Sequence, residues 1–430
     1  MGDSIQKVLR EQILKLKPDV KELKLVRDFT NKFLDNLRNE LSLNETKADV
    51  FLGGSFAKGT FLKSDVYDID VFVRFDWKYV QISAELEKVL IPLCKGLKLR
   101  TELIHGSRDY FRVYHPNTKG YFEIIPVTKI KKPQEERNVT DLTYFHGPYV
   151  IKRIKGLEDQ VRLTKQFFKA QRVYGAETYV RGFSGYTVEL LIIKYKSFFK
   201  MIKALVKFDS SQRNVIDIEK HYKNKNDVFI HVNEAKLHSP IILIDPTYKE
   251  RNALAALSSD TLAKLQSSIN IFLKKPSAEF FTIREPDVAV LRKKALKKKQ
   301  EFLSITLSTD KQHGDIAGTK LKKFAEVVHR ELNSYFEVKN AEFFYSGEQI
   351  GRFDISLVPK KEVIRIGPPV EMKKHASRFK AQHTSVFIKN KRLHARLPSM
   401  RNARAFLDSW KSANQKMIHQ MHIVSMEIED

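Results

Sequence analysis

A Gly-Gly-Ser turn and two aspartates one residue apart surround the start of a hydrophobic strand within residues 51–75. Side chains alternate across a strand, so Asp68 and Asp70 share one face, while Ile69 lies on the other. Mg²⁺ prefers oxygen ligands and is usually held by one or two carboxylates together with substrate phosphates. This stretch therefore predicts a strand-loop-strand unit with a site for divalent metal and phosphate where its second strand begins.

The charge of the chain indicates a polyanionic partner. It has 77 Lys and Arg against 51 Asp and Glu, which gives a net charge of +26. A surplus of that size points to nucleic acid, and a basic, well-solvated surface is the alternative. With 430 residues, 42% of them hydrophobic, the chain is expected to be globular and to form two to four domains.

Several classes of protein are disfavoured by what the sequence lacks. Cys94 is the single cysteine, so no internal disulfide and no thiolate metal site is expected. The N-terminal residues are amphipathic and charged, without a signal-peptide core. No run of about 18 apolar residues is present, so no membrane contact is predicted. These observations favour a cytoplasmic protein.

Hydrophobic periodicity predicts alternating helices and strands. Helices are predicted at residues 1–45 with a break near Pro18, at 159–175, at 184–206 with Ser184 as N-cap, at 254–275, and at 290–303. Strands are predicted at residues 98–105, 110–114, 121–126 and 228–245, and residues 131–150 are predicted to be a connecting loop.

The Gly-Ser, spacer and Asp-x-Asp pattern resembles the nucleotidyltransferase superfamily of DNA polymerase beta. Four later blocks resemble the archaeal-type (class I) CCA-adding enzymes, which are tRNA nucleotidyltransferases. These blocks are residues 140–146, the helical stretch 164–198, Ile244-Asp245-Pro246 through Arg251-Asn252, and Gly367-Pro368-Pro369-Val370. Their order and spacing are preserved, and together with the first motif they cover residues 50 to 395.

The resemblance implies an α/β (α+β) fold with a polymerase-beta-like nucleotidyltransferase head, whose sheet is mixed or antiparallel, a helical neck, and an α/β body and tail. The parts are expected to be a catalytic head over residues 1–150, a neck and central nucleotide-recognition domain over 151–275, and a body and tail over 276–430 that bind the tRNA acceptor arm. The implied reaction is template-independent addition of C, C and A to the 3′ end of tRNA. Its substrates are CTP and ATP, its cofactor is two Mg²⁺ ions, and a homodimer is one expected state, since family members are often dimeric.

The catalytic residues and metal ligands are predicted to be Asp68, Asp70 and Glu123. Two divalent ions can clamp the attacking and leaving oxygens of an in-line displacement. The superfamily carries a third carboxylate on a neighbouring strand, where this chain has Glu123 in place of the usual aspartate. Glu102, on an adjacent predicted strand, is a weaker candidate for the same role.

Seven positions match the nucleotide-binding residues of the family: Gly54, Ser55, Lys58, His146, Lys165, Tyr174 and Arg251. Gly54 and Ser55 are expected to hold the β- and γ-phosphates, because glycine lets backbone N–H groups approach an anion. Lys58 stands where the family has arginine, so it keeps the charge but loses bidentate geometry. Arg251 is expected to read the Watson–Crick edge of the incoming base, with a salt-bridged arginine as the alternative.

Two further departures from the family lie close to His146. Leu142 replaces the usual arginine and Tyr144 the usual proline. His146 itself is expected near the incoming nucleotide, with a packing role among aromatic residues as the alternative. The loss of the arginine bears on nucleotide preference and not on the class of reaction.

Basic residues in the last third of the chain are predicted to bind RNA. They are Arg292, Lys293, Lys297 and Lys298, near the acceptor stem, and His375 and Arg378 in the tail, toward the TΨC arm. Double-stranded RNA is recognised mainly by shape and backbone, so these charges would set affinity and its salt dependence. The alternative is a solvated basic face.

Two other functions remain as alternatives. The first is a poly(A) polymerase or a 2′-5′ oligoadenylate synthetase-like enzyme, which the Gly-Ser and Asp-x-Asp motifs do not separate from a tRNA enzyme. The blocks at residues 140–190 and 245–258 favour the tRNA enzyme. The second is an inactive RNA-binding module on the same scaffold, against which the intact Asp68 and Asp70 argue.

Overall fold

A computed structural model of the chain describes residues 2–63, 66–116, 120–209 and 212–429. The chain forms two compact units, Met1–Arg284 and Glu285–Asp430. The three-part division at residues 150 and 275 stays a prediction. Along the described residues, no helix is both long and apolar enough to cross a membrane.

Two helices, α1 (Gly2–Leu16) and α2 (Val20–Leu43), open the first unit. The Asp19 carboxylate begins α2, because it accepts hydrogen bonds from the backbone N–H groups of Lys21 and Glu22 at 2.8 and 3.2 Å. The predicted break near Pro18 is therefore confirmed. One face of α2 packs into the core beneath the first sheet.

The first sheet carries the predicted motif. Its strands are β1 (Ala48–Leu52), β2 (Asp68–Phe75), β3 (Thr101–Ile104), β4 (Tyr110–Tyr114) and β5 (Tyr121–Thr128). Their order is β1-β2-β5-β4-β3, and β2 pairs with β5 in parallel while the other pairs are antiparallel. The short helix α3 (Gly54–Ala57) follows β1, and α4 (Ile82–Gly96) follows β2. This mixed sheet confirms the predicted fold class.

The remainder of the first unit is mainly helical. Its helices are α5 (Thr143–Ile154), α6 (Glu158–Ala170), α7 (Gly185–Tyr195), α8 (Phe198–Leu205), α9 (Lys225–His231) and α10 (Ser259–Lys274). A small sheet has the strands β6 (Asn214–Ile216), β7 (Ile241–Asp245) and β8 (Tyr248–Asn252). Short 3₁₀ turns cover Pro133–Glu135, Val139–Leu142, Glu234–Lys236 and Ala278–Phe281. Ser184 caps α7 by accepting the Thr187 N–H at 3.3 Å, as predicted.

The loop predicted over residues 131–150 is wrong for its second half. Helix α5 begins at Thr143 although Pro148 lies inside it. Leu142, His146, Val150 and Ile154 are all buried at a spacing of four, which is the buried stripe of a helix. The proline and glycine between them conceal this stripe in the sequence.

Two other predicted elements need correction. The strand predicted over residues 228–245 begins only at Ile241, because Asn224 caps α9 by accepting two backbone N–H groups at 2.9 and 3.1 Å. The basic helix predicted over residues 290–303 ends at Lys297. Lys299 takes a left-handed backbone angle (φ 55°), which turns the chain out of the helix and into a strand.

The second unit contains two antiparallel sheets. Its elements are α11 (Val288–Lys297), β9 (Glu301–Thr309), α12 (Asp315–Tyr335), β10 (Phe336–Tyr345), β11 (Ile350–Pro359), β12 (Val363–Pro369), α13 (Lys373–Gln382), β13 (Val386–Lys389), β14 (Arg392–Leu397), α14 (Ala403–Ala413), α15 (Gln415–Gln420) and β15 (Ile423–Glu429). The strand orders are β10-β11-β9-β15 and β12-β14-β13. One side of α12 packs on the four-stranded sheet and closes its core.

Candidate active site

The predicted carboxylates lie on one face of two neighbouring strands. In the parallel pairing of β2 with β5, Asp68 is opposite Tyr121 and Asp70 is opposite Glu123. Ile69 is buried in the core on the other face. Glu102, by contrast, lies on the edge strand β3 and accepts a hydrogen bond from the Tyr114 hydroxyl at 2.5 Å. Glu123 is therefore the carboxylate that the sheet places beside Asp70.

Glu123 is held by an arginine that the sequence did not single out. Arg112 stands opposite Glu123 on β4, and its Nε and Nη2 donate to Glu123 Oε1 at 3.1 and 3.0 Å. The same guanidinium lies 4.8 Å from the centre of the Tyr121 ring. The pairing register of β4 with β5 creates this contact, and a single sequence does not give that register.

The electrostatics around Asp70 fit a divalent cation. Burial, together with the charges of Glu123 and Asp68, raises the pKa of Asp70 to about 7. A carboxylate whose ionised form is opposed in this way is stabilised by a bound cation. Among the described residues, no group of three or more His, Cys, Asp or Glu side chains is already arranged to hold a metal ion. Asp68 and Asp70 offer the carboxylate oxygens that a divalent cation prefers, whereas Glu123 already bonds to Arg112.

The glycine turn packs directly against β2. Gly54 has φ +58°, and a Cβ atom added there would lie 1.6 Å from Asp70 Oδ2. The Gly53 N–H donates to the Asp70 backbone oxygen at 3.0 Å. Only glycine allows the backbone of the turn to come this close to the carboxylate, which explains the residue type at this position.

A buried glutamate joins two of the predicted phosphate-binding lysines. Glu189 on α7 is 1% exposed, and its Oε2 lies 2.7 Å from Lys58 Nζ. Its Oε1 accepts the Thr60 hydroxyl at 3.0 Å and lies 3.9 Å from Lys165 Nζ. Lys165 also donates to the backbone oxygen and the hydroxyl of Thr60, both at 3.3 Å. Lys58 is accordingly a largely buried, ion-paired side chain and not a solvated loop lysine.

The loop after α3 is fixed to α6 by a second buried cation. The Arg162 Nε donates to the backbone oxygen of Phe61 at 3.0 Å, and its Nη2 donates to that of Gly59. Arg162 also forms an ion pair with Asp159 one turn earlier on α6. These bonds hold the loop in place, so Lys58 and Thr60 are positioned by the helical part of the unit.

Lys165 and Tyr174 both interact electrostatically with the carboxylates of β2. Helix α6 ends at Ala170, earlier than the predicted stop at Gly175. Tyr174 therefore lies beyond the helix, and the direction of its side chain does not follow the helical repeat. Burial lowers the pKa of Lys165 to about 8, and the charges of Glu189 and Asp68 oppose that shift. Burial, then Glu189 and Asp68, raise the pKa of Tyr174. Both residues therefore lie within the electrostatic reach of Asp68.

A second buried carboxylate organises the predicted base-reading residues. Asp245 is fully buried at the end of β7. Its Oδ2 lies 2.9 Å from His146 Nε2 and accepts a hydrogen bond from Arg251 Nη1 at 2.6 Å. Its Oδ1 accepts the Tyr186 hydroxyl and both the N–H and the hydroxyl of Thr247, each at 2.9 Å. Arg251 is thus a salt-bridged arginine whose direction is set by Asp245.

Both titratable partners in this cluster have shifted pKa values. Burial alone would raise the pKa of Asp245, but the hydrogen bond and charge of His146 and the charge of Arg251 lower it. Burial lowers the pKa of His146 more than Asp245 raises it. The cluster therefore favours an ionised Asp245.

Tyr186 connects the two buried carboxylate clusters. Its ring stacks on His146 with centroids 4.0 Å apart, and Lys58 Nζ lies 5.9 Å from its centre. Tyr186 and Glu189 are one turn apart on α7. Helix α7 therefore holds both the lysines near the glycine turn and the Asp245 cluster.

The two residues near His146 that differ from the family, Leu142 and Tyr144, make packing contacts. Leu142 is fully buried, and the ring of Tyr144 lies 3.5 Å from the Arg74 guanidinium carbon. Beside them, the buried Asp141 pairs with Arg108 and accepts the Thr128 N–H at 2.7 Å. Leu142 and Tyr144 thus have structural contacts in this chain.

The predicted RNA-binding residues lie in the second unit. Lys293 and Lys297 are exposed on α11, and Lys298 is exposed at its C-cap. Arg292 is half-buried on the same helix. His375 and Arg378 are exposed on α13, next to the β12-β14-β13 sheet. The exposure of these side chains is compatible with contact to a polyanion and also with a solvated face.

Comparisons with known proteins agree with this arrangement. A family model described as a nucleotidyltransferase domain matches residues 34–209, and one described as tRNA nucleotidyltransferase, second domain, matches residues 159–282. The solved structure of Cid1, described with an RNA terminal uridylyl transferase activity, aligns with a TM-score of 0.51 at 13% identity, over 65% of this chain and 98% of that one. That similarity supports the fold alone.

Curated relatives identify the family. The CCA-adding enzyme of Nanoarchaeum equitans is 34% identical over 78% of this chain and 77% of its own length. Those of Methanocaldococcus jannaschii and Pyrococcus abyssi are each 30% identical, over 91% and 92% of this chain and 87% of their own lengths. The matches span both structural units, and the chain therefore belongs to the family of CCA-adding enzymes, which are tRNA nucleotidyltransferases.

Proposed function

We propose that this protein adds C, C and A to the 3′ end of tRNA without a nucleic acid template, using CTP and ATP and releasing pyrophosphate. The observation that carries the proposal is the shared face of Asp68, Asp70 and Glu123 next to the Gly54 turn. That face offers carboxylates for divalent metal beside a backbone that approaches closely enough to bind phosphate.

In this proposal Asp68, Asp70 and Glu123 hold two Mg²⁺ ions. When bound, such ions lower the pKa of the attacking ribose hydroxyl and stabilise charge on the triphosphate. The chain itself orients the nucleotide through the backbone of Gly54 and Ser55. Both Arg112 bonds go to Glu123 Oε1, so Oε2 is the atom that Glu123 would offer to a metal ion.

The remaining nucleotide contacts follow from the two buried clusters. Lys58, Lys165 and Tyr174 bind the triphosphate, since all three interact electrostatically with Asp70 and two of them are lysines. Arg251 reads the base edge while Asp245 holds its Nη1. A guanidinium has five N–H donors in a fixed fork, so the ion pair leaves donors for a base.

The substrate RNA is proposed to be tRNA, bound through its acceptor stem and TΨC arm by residues 276–430. A test compares a tRNA transcript that lacks its CCA end with an unstructured RNA of the same length, each with labelled CTP. We expect addition to the tRNA at least about tenfold more efficiently, because backbone and shape contacts along a helix add affinity. Equal use of both RNAs would contradict tRNA as the substrate.

The basic residues of α11 give a salt-dependence prediction. Replacing Lys293, Lys297 and Lys298 with glutamine should remove phosphate contacts to tRNA. Each contact contributes about 0.7–0.9 to the steepness with which log affinity falls with log salt, so the plot should become shallower by roughly 2. Filter binding between low and moderate salt measures it. The matched control replaces Lys7, Lys21 and Lys24, which are exposed on α1 and α2. An unchanged slope in the α11 variant would identify that helix as a solvated face.

The glycine turn gives a steric prediction. Gly54→Ala should reduce nucleotide addition by roughly 100-fold, because the new methyl group forces Asp70 or the turn to move and a positive φ is strained for alanine. Single-turnover addition measures the rate, and thermal melting checks folding. Gly96→Ala is the control, since nothing lies within 4 Å of a Cβ atom there. Full activity of Gly54→Ala would show that the turn is not part of the active site.

A further inference from the structure

Glu189 is the one charged residue within the buried stretch of α7, Thr187 to Ile193. Its neighbours on α7 from Thr187 to Ile193 are all buried, and Glu189 itself is 1% exposed. Burial of an ionised carboxylate is costly unless it is paired and hydrogen-bonded. The pairing partners therefore explain why a glutamate is tolerated at this position.

The partners come from two different segments and converge on one carboxylate. Lys58 and Thr60 belong to the loop after the glycine turn, and Lys165 belongs to α6. The Lys58 ammonium is bound at 2.7 Å and the Thr60 hydroxyl at 3.0 Å, while Lys165 lies at 3.9 Å and bonds to Thr60. One negative charge thus serves two cations whose ammonium groups repel each other.

The charge balance makes Lys165 dependent on this carboxylate. Burial, with smaller contributions from the charges of Lys58 and Lys169, lowers the pKa of Lys165 to about 8. Glu189 and, from β2, Asp68 act in the opposite direction. Without Glu189 the pKa of Lys165 would fall below its present value, so Lys165 would lose its proton at a lower pH.

Lys58 depends on Glu189 for its direction. A lysine ammonium is a point charge on a flexible stem and lacks the rigid fork of the arginine that the family carries at this position. The contact with Glu189 and the Tyr186 ring beneath the ammonium restrict where that charge lies. A restrained cation loses less conformational entropy when an anion binds.

We propose that Glu189 is a positioning residue for the triphosphate of the incoming nucleotide, because its carboxylate fixes the ammonium groups of Lys58 and Lys165 side by side. The proposal rests on the proposed function, in which these lysines bind phosphate. Glu189 acts through the lysines and not on the reacting atoms. Its effect should therefore fall on nucleotide affinity, equally for CTP and ATP, and not on the choice of base.

The test uses Glu189→Gln, which keeps the size of the side chain and removes its charge. Inorganic tripolyphosphate, without metal, is titrated into the full-length protein by calorimetry across pH 6.5 to 9. We expect its affinity to fall about tenfold near neutral pH, because Lys58 then loses its restraint and Lys165 loses its charged partner. The wild-type affinity should decline as pH rises through about 8, and the decline should begin at lower pH in the variant.

Kinetics give the second readout. The KM values for CTP and ATP should rise by the same factor, with kcat within about twofold, because uniform binding is lost. Glu189→Asp keeps the charge and should preserve the wild-type pH profile. Glu87→Gln, exposed on α4, is the matched surface control. A tripolyphosphate affinity and pH profile equal to those of the wild type, or a lower melting temperature without either change, would overturn the proposal.

The two proposals fail in different ways. If wild-type protein adds no nucleotide to tRNA while tripolyphosphate binding still depends on Glu189, the proposed function fails and the role in phosphate binding stands. If addition to tRNA is normal and Glu189→Gln behaves like wild type in both assays, the role of Glu189 fails alone.

Discussion

Asp70→Asn is expected to abolish nucleotide transfer while tRNA still binds. The amide has the shape of the carboxylate but lacks the charge with which Asp70 would help to hold a divalent cation in the proposed function. Metal stabilisation of a phosphoryl transition state is worth several kcal/mol, so the loss should be roughly 10³-fold or more. Single-turnover addition to a tRNA lacking its CCA end measures the rate, and filter binding measures tRNA affinity.

Asp49→Asn is the matched control for this variant. Asp49 lies on β1 of the same sheet, half exposed and paired with Arg74 and Lys129, and its strand partner Arg74 is four residues along β2 from Asp70. Asp70→Asn should not lower the melting temperature of metal-free protein, because burial and two other carboxylates oppose the charge that it removes. A turnover within tenfold of wild type would show that Asp70 does not hold a required metal.

Arg251→Ala is expected to reduce the selectivity for CTP and ATP over UTP and GTP. A site that hydrogen-bonds a base edge rejects analogues strongly, because its buried donors would otherwise be left unpaired. Loss of the guanidinium should reduce the selectivity ratios by about 100-fold, within the range known for sites of this kind. The measurement is kcat/KM for each of the four nucleotides on the same tRNA.

The control for Arg251 is another ion-paired arginine of the same unit. Arg153 pairs with Glu219 at 3.0 Å, and Arg153→Ala should leave selectivity unchanged. Asp245→Asn should also blur selectivity, to a smaller degree, because Arg251 then keeps its charge but loses its fixed direction. Thermal melting separates this from unfolding, since Asp245 is buried. Unchanged selectivity in Arg251→Ala would mean that another residue reads the base.

Sequence patterns correctly predicted features that depend on residues close together in the chain, such as strand alternation and helix caps. The alternation around Ile69 correctly placed Asp68 and Asp70 on one strand face, and Ser184 was correctly identified as a helix cap. The buried stripe of α5 was missed, because Pro148 lies within it and an internal proline usually ends a helix.

The missed site residues depend on contacts between distant parts of the chain. Glu189 stands out in the sequence as a lone carboxylate in an apolar run, which signals a buried charge. Its partner Lys58 is 131 positions away in the sequence. The two residues come together only because α7 packs against the loop after α3. Arg112 is similar, since its contact with Glu123 follows from the register of two strands.

The proposed CCA addition is tested most directly with a tRNA transcript that lacks its CCA end. The transcript is incubated with Mg²⁺ and each nucleotide triphosphate alone, and then with CTP and ATP together. We expect two additions from CTP alone, a third only when ATP is also present, and none from UTP or GTP. A long ladder from ATP alone would indicate a poly(A) polymerase, and no addition under any condition would indicate an inactive RNA-binding protein; either result would contradict the account.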